Sequence, residues 1–258
     1  MRKITLLALL SALPISTWAA IKTEIVEYKH GDTVCEGFLA YDDAAKGKVP
    51  GVVVVHEWTG LGDYAKMRAS MLAKLGYAAF AIDMYGKGVR AKDHEEAAKL
   101  SGIYRNDRAL MRSRAHAGLE FLRKNTKVDV NRIAAIGYCF GGTTVLEMAR
   151  SGEELKGVAS FHGGLESPTP AAKGAIKGKI RVFQGADDAW TVPGIPKFEE
   201  EMKNAGADWQ LIKYPGAVHS FTVKEAGNDN SKGMAYNEAA DKKSWQALAD
   251  FLKGIFKK

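Results

Sequence analysis

A mostly parallel sheet covered by helices on both faces is the α/β fold class this chain predicts, and three observations predict it. Apolar runs of strand length alternate with amphipathic helical segments almost from end to end. The runs are continuous rather than alternating, as strands buried on both faces must be. The chain has 258 residues, 46% of them hydrophobic and 26% charged, enough apolar material for one large core. No repeat, linker or low-complexity segment divides it, so a single domain over 20–258 is expected.

Residues 1–19 stand apart from that fold. Arg2 and Lys3 precede an apolar stretch over 4–13, followed by small residues at Thr17, Ala19 and Ala20. This is the layout of a secretory signal peptide, and the run is too short to span a bilayer. Cleavage after Ala19 puts Thr17 three residues before the cut, where cleavage after Ala20 would put bulky Trp18. No cysteine follows the apolar run, so no lipid anchor is expected; the mature chain is expected in the periplasm, with no integral membrane segment. Losing Arg2 and Lys3 takes the formal net charge from +7 to +5.

In chain order, segments 23–28 and 33–41 flank His30-Gly31-Asp32 and predict an antiparallel hairpin. A strand over 52–55, a helix over 63–75 and a strand over 77–82 follow. Next come a helix over 107–122, a strand over 133–136, a helix over 143–149 and strands over 158–161 and 180–184. A helix over 196–204, a strand over 209–214 and a helix over 239–256 complete the alternation. The polar stretch 225–233 reads as a loop beside a site. Arg105, Arg108, Arg112, Arg114, Arg123 and Lys124 cluster around the 107–122 helix. Met111, Ala115, Gly118, Leu119 and Leu122 recur there at helical spacing, so the basic residues are assigned to its solvated side and no nucleic-acid partner is expected.

The chemistry centres on Gly137-Tyr138-Cys139-Phe140-Gly141, a thiol at a strand-to-helix turn. Glycines two positions either side suit a nucleophile held at a tight, strained turn. A cysteine needs a base, and the base needs an orienting acid. Downstream, Gly185-Ala186-Asp187-Asp188 closes one strand and His219 lies in the loop after another, giving the order nucleophile, acid, histidine. Asp188 is the preferred acid and Asp187 the alternative. The second cysteine, Cys35, sits in an alternating stretch and reads as a small buried hydrophobe; a Cys35–Cys139 disulfide would consume the nucleophile.

These motifs resemble the dienelactone hydrolase family, over essentially the whole mature chain. Val54-Val55-His56-Glu57-Trp58 resembles its first strand-to-loop motif and Asp83-Met84-Tyr85-Gly86-Lys87 the next strand end. The elbow around Cys139, Asp188, Val218-His219-Ser220-Phe221 and Tyr236-Asn237-Glu238-Ala239-Ala240 complete the match. The resemblance implies an α/β-hydrolase fold and a carboxymethylenebutenolidase-like ester or lactone hydrolase. Cys139 would attack the carbonyl to give a thioester, His219 would shuttle the proton and Asp188 would orient His219. The oxyanion would be held by the backbone N–H groups of Phe140 and Trp58. Glu57 would contact the thiol and restrain it until substrate arrives, and Tyr85 and Lys87 would bind substrate. Where the family uses two arginines for an anionic substrate, this chain has Lys87 and Val223.

The expected partner is therefore a small-molecule ester or lactone, the expected state a monomer, and no metal or other cofactor is called for. Two other classes compete. Gly60-Leu61-Gly62-Asp63-Tyr64-Ala65, with Asp83 about 20 residues on, resembles a dinucleotide fingerprint, but His56 to Thr59 intervene between strand and first glycine. A catalytically silent hydrolase fold used for binding is the second alternative.

Overall fold

The computed structural model describes residues 20–257; the predicted signal segment, 1–19, lies outside the described residues. The hairpin forms as β1 (Ile21–His30) and β2 (Thr33–Asp42), turning at Gly31, whose φ of 56° glycine tolerates. There follow β3 (Val49–Val55), α1 (Asp63–Lys74), β4 (Ala78–Ile82), α2 (His94–Asn106), α3 (Arg108–Arg123), β5 (Val128–Tyr138) and α4 (Phe140–Arg150). The chain continues through β6 (Gly157–Phe161), β7 (Lys179–Gly185), α5 (Ile195–Ala205), β8 (Trp209–Tyr214) and α6 (Glu238–Phe256).

The eight strands form one sheet in the order β1-β2-β4-β3-β5-β6-β7-β8. The pairings β1–β2 and β2–β4 are antiparallel, and every pairing from β4 to β8 is parallel. Strand order reverses at β3, which leaves a crevice between the carboxyl ends of β3 and β5, where open parallel sheets collect ligands.

The continuous apolar runs follow from burial on both faces. Val53 and Val55 join a core with α3, α4 and α5, whereas Val52 and Val54 face α1 and α6. All four are fully buried, and each such side chain contributes about 1.5–3 kcal/mol over its exposed state.

Two sequence expectations need correction. The alternation assigns no helix between 82 and 107, yet α2 forms there. Asp93 caps it by accepting the Glu96 N–H at 2.9 Å, and the Glu96 carboxylate accepts the Lys92 N–H at 2.9 Å, a capping box readable as Asp-x-x-Glu. The basic residues around α3 are also not one solvated face. Arg114 is buried and donates to the ring of His30 (3.0 Å), the Met84 carbonyl (3.2 Å) and the Thr33 hydroxyl (3.2 Å), tying the hairpin to α3. Arg112 pairs at 2.7 Å with the buried Glu147, which also holds Arg150 at 3.0 Å. Cys35 and Cys139 are both free thiols.

Candidate active site

β5 ends at Tyr138 and α4 begins at Phe140, so Cys139 alone makes the turn, with φ 53° and ψ −111°. The flanking glycines are sterically required. A Cβ on Gly137 would lie 2.1 Å from the Gly141 carbonyl oxygen, and one on Gly141 would lie 2.2 Å from that of Val55. The elbow is thereby pressed against the end of β3. Its N–H is shared between the Phe161 carbonyl (2.9 Å) and Nδ1 of His162 (3.2 Å). Among the described residues the only non-glycine positions with positive φ are Cys139, His162 (40°) and Ser220 (55°). Each costs on the order of 1–3 kcal/mol, and all three border this site.

His219 approaches from the loop after β8. Its Nε2 lies 3.1 Å from Cys139 Sγ and its Nδ1 2.8 Å from Asp188 Oδ2. Asp188 is fully buried, and its other oxygen accepts the N–H groups of Trp190 (2.9 Å) and Thr191 (3.3 Å). Asp187 is exposed, so the acid beside the histidine is Asp188. The 225–233 stretch does border the site: Gly233 accepts the His219 N–H at 3.2 Å and Ala235 donates to the His219 carbonyl at 3.0 Å. Burial works to lower the His219 pKa, but charge on Cys139 and the hydrogen bonds to Asp188 and Cys139 raise it to about 10. Burial works to raise that of Asp188, but the hydrogen bond from His219 leaves it below its ordinary value.

The remaining sequence candidates fare unequally. The backbone N–H groups of Phe140 and Trp58 have no hydrogen-bond acceptor among the described residues, and Trp58 lines the cavity above Cys139. Glu57 is half-buried beside the site, but Cys139 takes its hydrogen bond from His219 and Glu57 makes none with it, contrary to the expected restraint by contact. Burial pushes the Glu57 carboxyl up to about 7. Tyr85, expected to bind substrate, does not line the cavity: it is buried and donates to the Trp58 carbonyl at 2.8 Å, which fixes the loop. Lys87 is exposed and ion-paired with Glu27 of β1, turned away from the cavity, because the hairpin supplies a partner that the local motif cannot reveal. Val223 is buried.

Several residues at the site carry no local sequence signal. Nδ1 of His162 accepts the Cys139 N–H, so its Nε2 donates to the Thr222 hydroxyl at 2.8 Å. Tyr64 donates to that hydroxyl at 2.6 Å, and Arg68 holds Tyr64 (3.1 Å), the Thr222 carbonyl (3.1 Å) and Asp241 of α6. This polar chain braces the elbow from α1 and α6. His56 likewise donates from Nδ1 to the Glu57 carbonyl and accepts the Met84 N–H at 3.2 Å, joining the ends of β3 and β4. The cavity measures about 520 Å³, and Trp58, Leu165, Trp190 and Met234 give it apolar walls.

A thiol, buried acid and histidine in that chain order, at the carboxyl ends of β5, β7 and β8, make this chain an α/β-hydrolase. Residues 35–256 match the dienelactone hydrolase family, and the chain belongs to that family of carboxylic ester hydrolases. It is 38% identical to a crystallised dienelactone hydrolase-like promiscuous phosphotriesterase from metagenomic libraries, with a TM-score of 0.86 over 92% of this chain and all of that one. A Synechocystis protein, whose own assignment as a carboxymethylenebutenolidase is provisional, is 26% identical over 90% of this chain and 97% of its own length. A Klebsiella pneumoniae structure whose assignment as a dienelactone hydrolase is likewise provisional (21% identity, TM-score 0.77, covering 91% of this chain and 99% of that one) shares the fold. Membership sets the chain among hydrolases and not among nicotinamide-dependent oxidoreductases.

Proposed function

We propose that Cys139, His219 and Asp188 form a catalytic triad that cleaves a small carboxylic ester or lactone through a thioester. One observation carries this proposal: His219 bridges Cys139 Sγ and Asp188 Oδ2 at 3.1 and 2.8 Å, at the foot of the cavity. His219 Nε2 holds the proton taken from the Cys139 thiol as Sγ attacks the carbonyl carbon, and the carbonyl π electrons move onto oxygen. The N–H groups of Phe140 and Trp58 receive that oxyanion, the larger share of stabilisation in such sites. Collapse breaks the carbon–oxygen ester bond, and protonated His219 gives its proton to the leaving alkoxide. Water, deprotonated by His219, then attacks the thioester; the carbon–sulfur bond breaks, the acid leaves, and the proton held by His219 is available to return to Sγ. Throughout, Asp188 holds the ring orientation and balances the imidazolium charge.

Glu57 acts in this scheme by charge rather than contact. When ionised it opposes negative charge on Sγ, and with a pKa near 7 it switches within the working range. Replacing it with glutamine therefore shifts the pH profile of turnover while leaving the acyl-enzyme chemistry available.

The decisive experiment is mass spectrometry of the enzyme quenched during turnover of a slowly deacylating nitrophenyl ester. An acyl adduct on the peptide bearing Cys139, absent from Cys139→Ala together with turnover, is the expected result. Full turnover by Cys139→Ala would sink the proposal. A phosphotriester belongs in the substrate panel, since that chemistry names the metagenomic relative. The basic, apolar leader supports export to the periplasm, which the mass of the mature amino terminus tests.

A further inference from the structure

The residues that carry both oxyanion donors meet at one buried side chain, His56, at the end of β3. Its ring lies stacked on that of Phe140 with centroids 5.9 Å apart, and edge-on to that of Tyr85 at 4.9 Å. The elbow also rests on its backbone: a Cβ on Gly141 would lie 2.6 Å from the His56 carbonyl oxygen. Its Nδ1 donates to the Glu57 carbonyl, and that carbonyl belongs to the same peptide unit as the Trp58 N–H. A trans peptide points its C=O and N–H in opposite directions, so a hydrogen bond that holds the oxygen also aims the N–H. The same bond polarises the amide and makes its N–H a stronger donor. Among the described residues the other backbone donor to the Glu57 oxygen is the Gly60 N–H, at a long 3.3 Å. The Met84 N–H donates to Nε2 of His56 at 3.2 Å, so Nε2 carries no proton and Nδ1 must be the donor. Burial supports that state by pushing the His56 pKa down to about 4, which keeps the ring neutral.

We propose that His56 is a positioning residue of the oxyanion hole: by holding the Glu57 carbonyl it turns the Trp58 N–H toward the oxygen that gains charge when Cys139 attacks. His56 does not line the cavity and acts only through that peptide unit. β4, through Met84, sets which ring nitrogen faces the loop, so the donor is in place before substrate arrives, as electrostatic stabilisation of a transition state requires. The inference deepens the thioester hydrolase described above and rests on it.

Two reactions of Cys139 separate this role from a general structural one. Acylation by a 4-nitrophenyl ester builds an oxyanion, whereas displacement of iodide from iodoacetamide builds none, so only the first needs the hole. In His56→Gln the side chain can still accept the Met84 N–H but offers no donor at the Nδ1 position. That variant should slow single-turnover acylation at saturating ester by about ten- to a hundredfold and leave alkylation within about threefold of the wild type. His56→Asn places an amide N–H where Nδ1 stands and should restore part of the acylation rate. Unchanged acylation in His56→Gln, an equal fall in alkylation, or His56→Asn no faster than His56→Gln overturns the inference. Should the variants fail to fold, proton–nitrogen spectra of the wild type decide. The expected result is a His56 proton on Nδ1 and a Trp58 amide resonance that moves when a trifluoromethyl ketone adds to Cys139; a proton on Nε2 or an unmoved Trp58 resonance overturns it. Nitrophenol release by Cys139→Ala at the wild-type rate refutes the thiol chemistry itself, whereas its loss there alongside unchanged acylation in His56→Gln refutes the positioning role only.

Discussion

Cys35 and Cys139 are both buried free thiols, each with a basic side chain within reach of sulfur, yet they occupy opposite chemical settings. Cys35 sits within β2, where regular pairing with Tyr28 of β1 leaves it no exposure, and Arg114 donates to its sulfur at 3.6 Å. Burial dominates there and raises its pKa despite that guanidinium. Cys139 stands at a strand end on strained backbone, opens onto a cavity, and faces a histidine whose far nitrogen is held by a carboxylate. Proximity to a cation is common to both. What separates them is access and a partner able to exchange a proton, and a guanidinium cannot do that.

Alkylation gives the sharpest way to break this contrast. In the folded protein iodoacetamide should modify Cys139 at least about a thousandfold faster than Cys35, read by peptide mass spectrometry; comparable rates would erase the distinction. His219→Asn should slow Cys139 modification by about ten- to a hundredfold and leave Cys35 untouched. His219 stays protonated below about 10, so the advantage of Cys139 over Cys35 should persist until pH rises through 10, with a fall in the Cys139 rate near pH 7 as Glu57 ionises that Glu57→Gln should lack.

Glu57 supplies a smaller effect, with a definite sign. Its pKa is raised from an ordinary 4.5 to about 7, so the folded state binds more protons than the unfolded across that window. Stability should fall by about 1–3 kcal/mol as pH rises from 4.5 to 7 and stay level outside it, a slope that urea melts of Glu57→Gln should lack. The smallest effect concerns the silent thiol. Cys35→Ala should cost about 1 kcal/mol by leaving a small void and should keep ester turnover within about twofold.

The parts of the site legible in the sequence are those whose cause is local. Gly137 and Gly141 announce the elbow because no Cβ fits there, and strand ends locate Asp188 and His219 by chain order. Asp187 and Asp188 separate only in three dimensions, where one is exposed and the other accepts three hydrogen bonds. Lys87 fails as a substrate anchor because Glu27, 60 residues earlier, takes it. Arg105 and Arg108 look like solvated helix residues until α2 folds and turns the α2–α3 junction over the cavity. His162 has no neighbouring motif at all, and its role comes from β6 lying beside β5.

The three left-handed backbone positions at Cys139, His162 and Ser220 belong to three separate segments of the chain, and none is a conformation its residue prefers alone. Each persists only once β5, β6 and the loop after β8 are docked together. A chain in which those segments are not yet docked therefore carries two ordinary thiols, and the difference between them comes into being only when the segments meet. Thiol reactivity in this molecule is a reporter of completed folding.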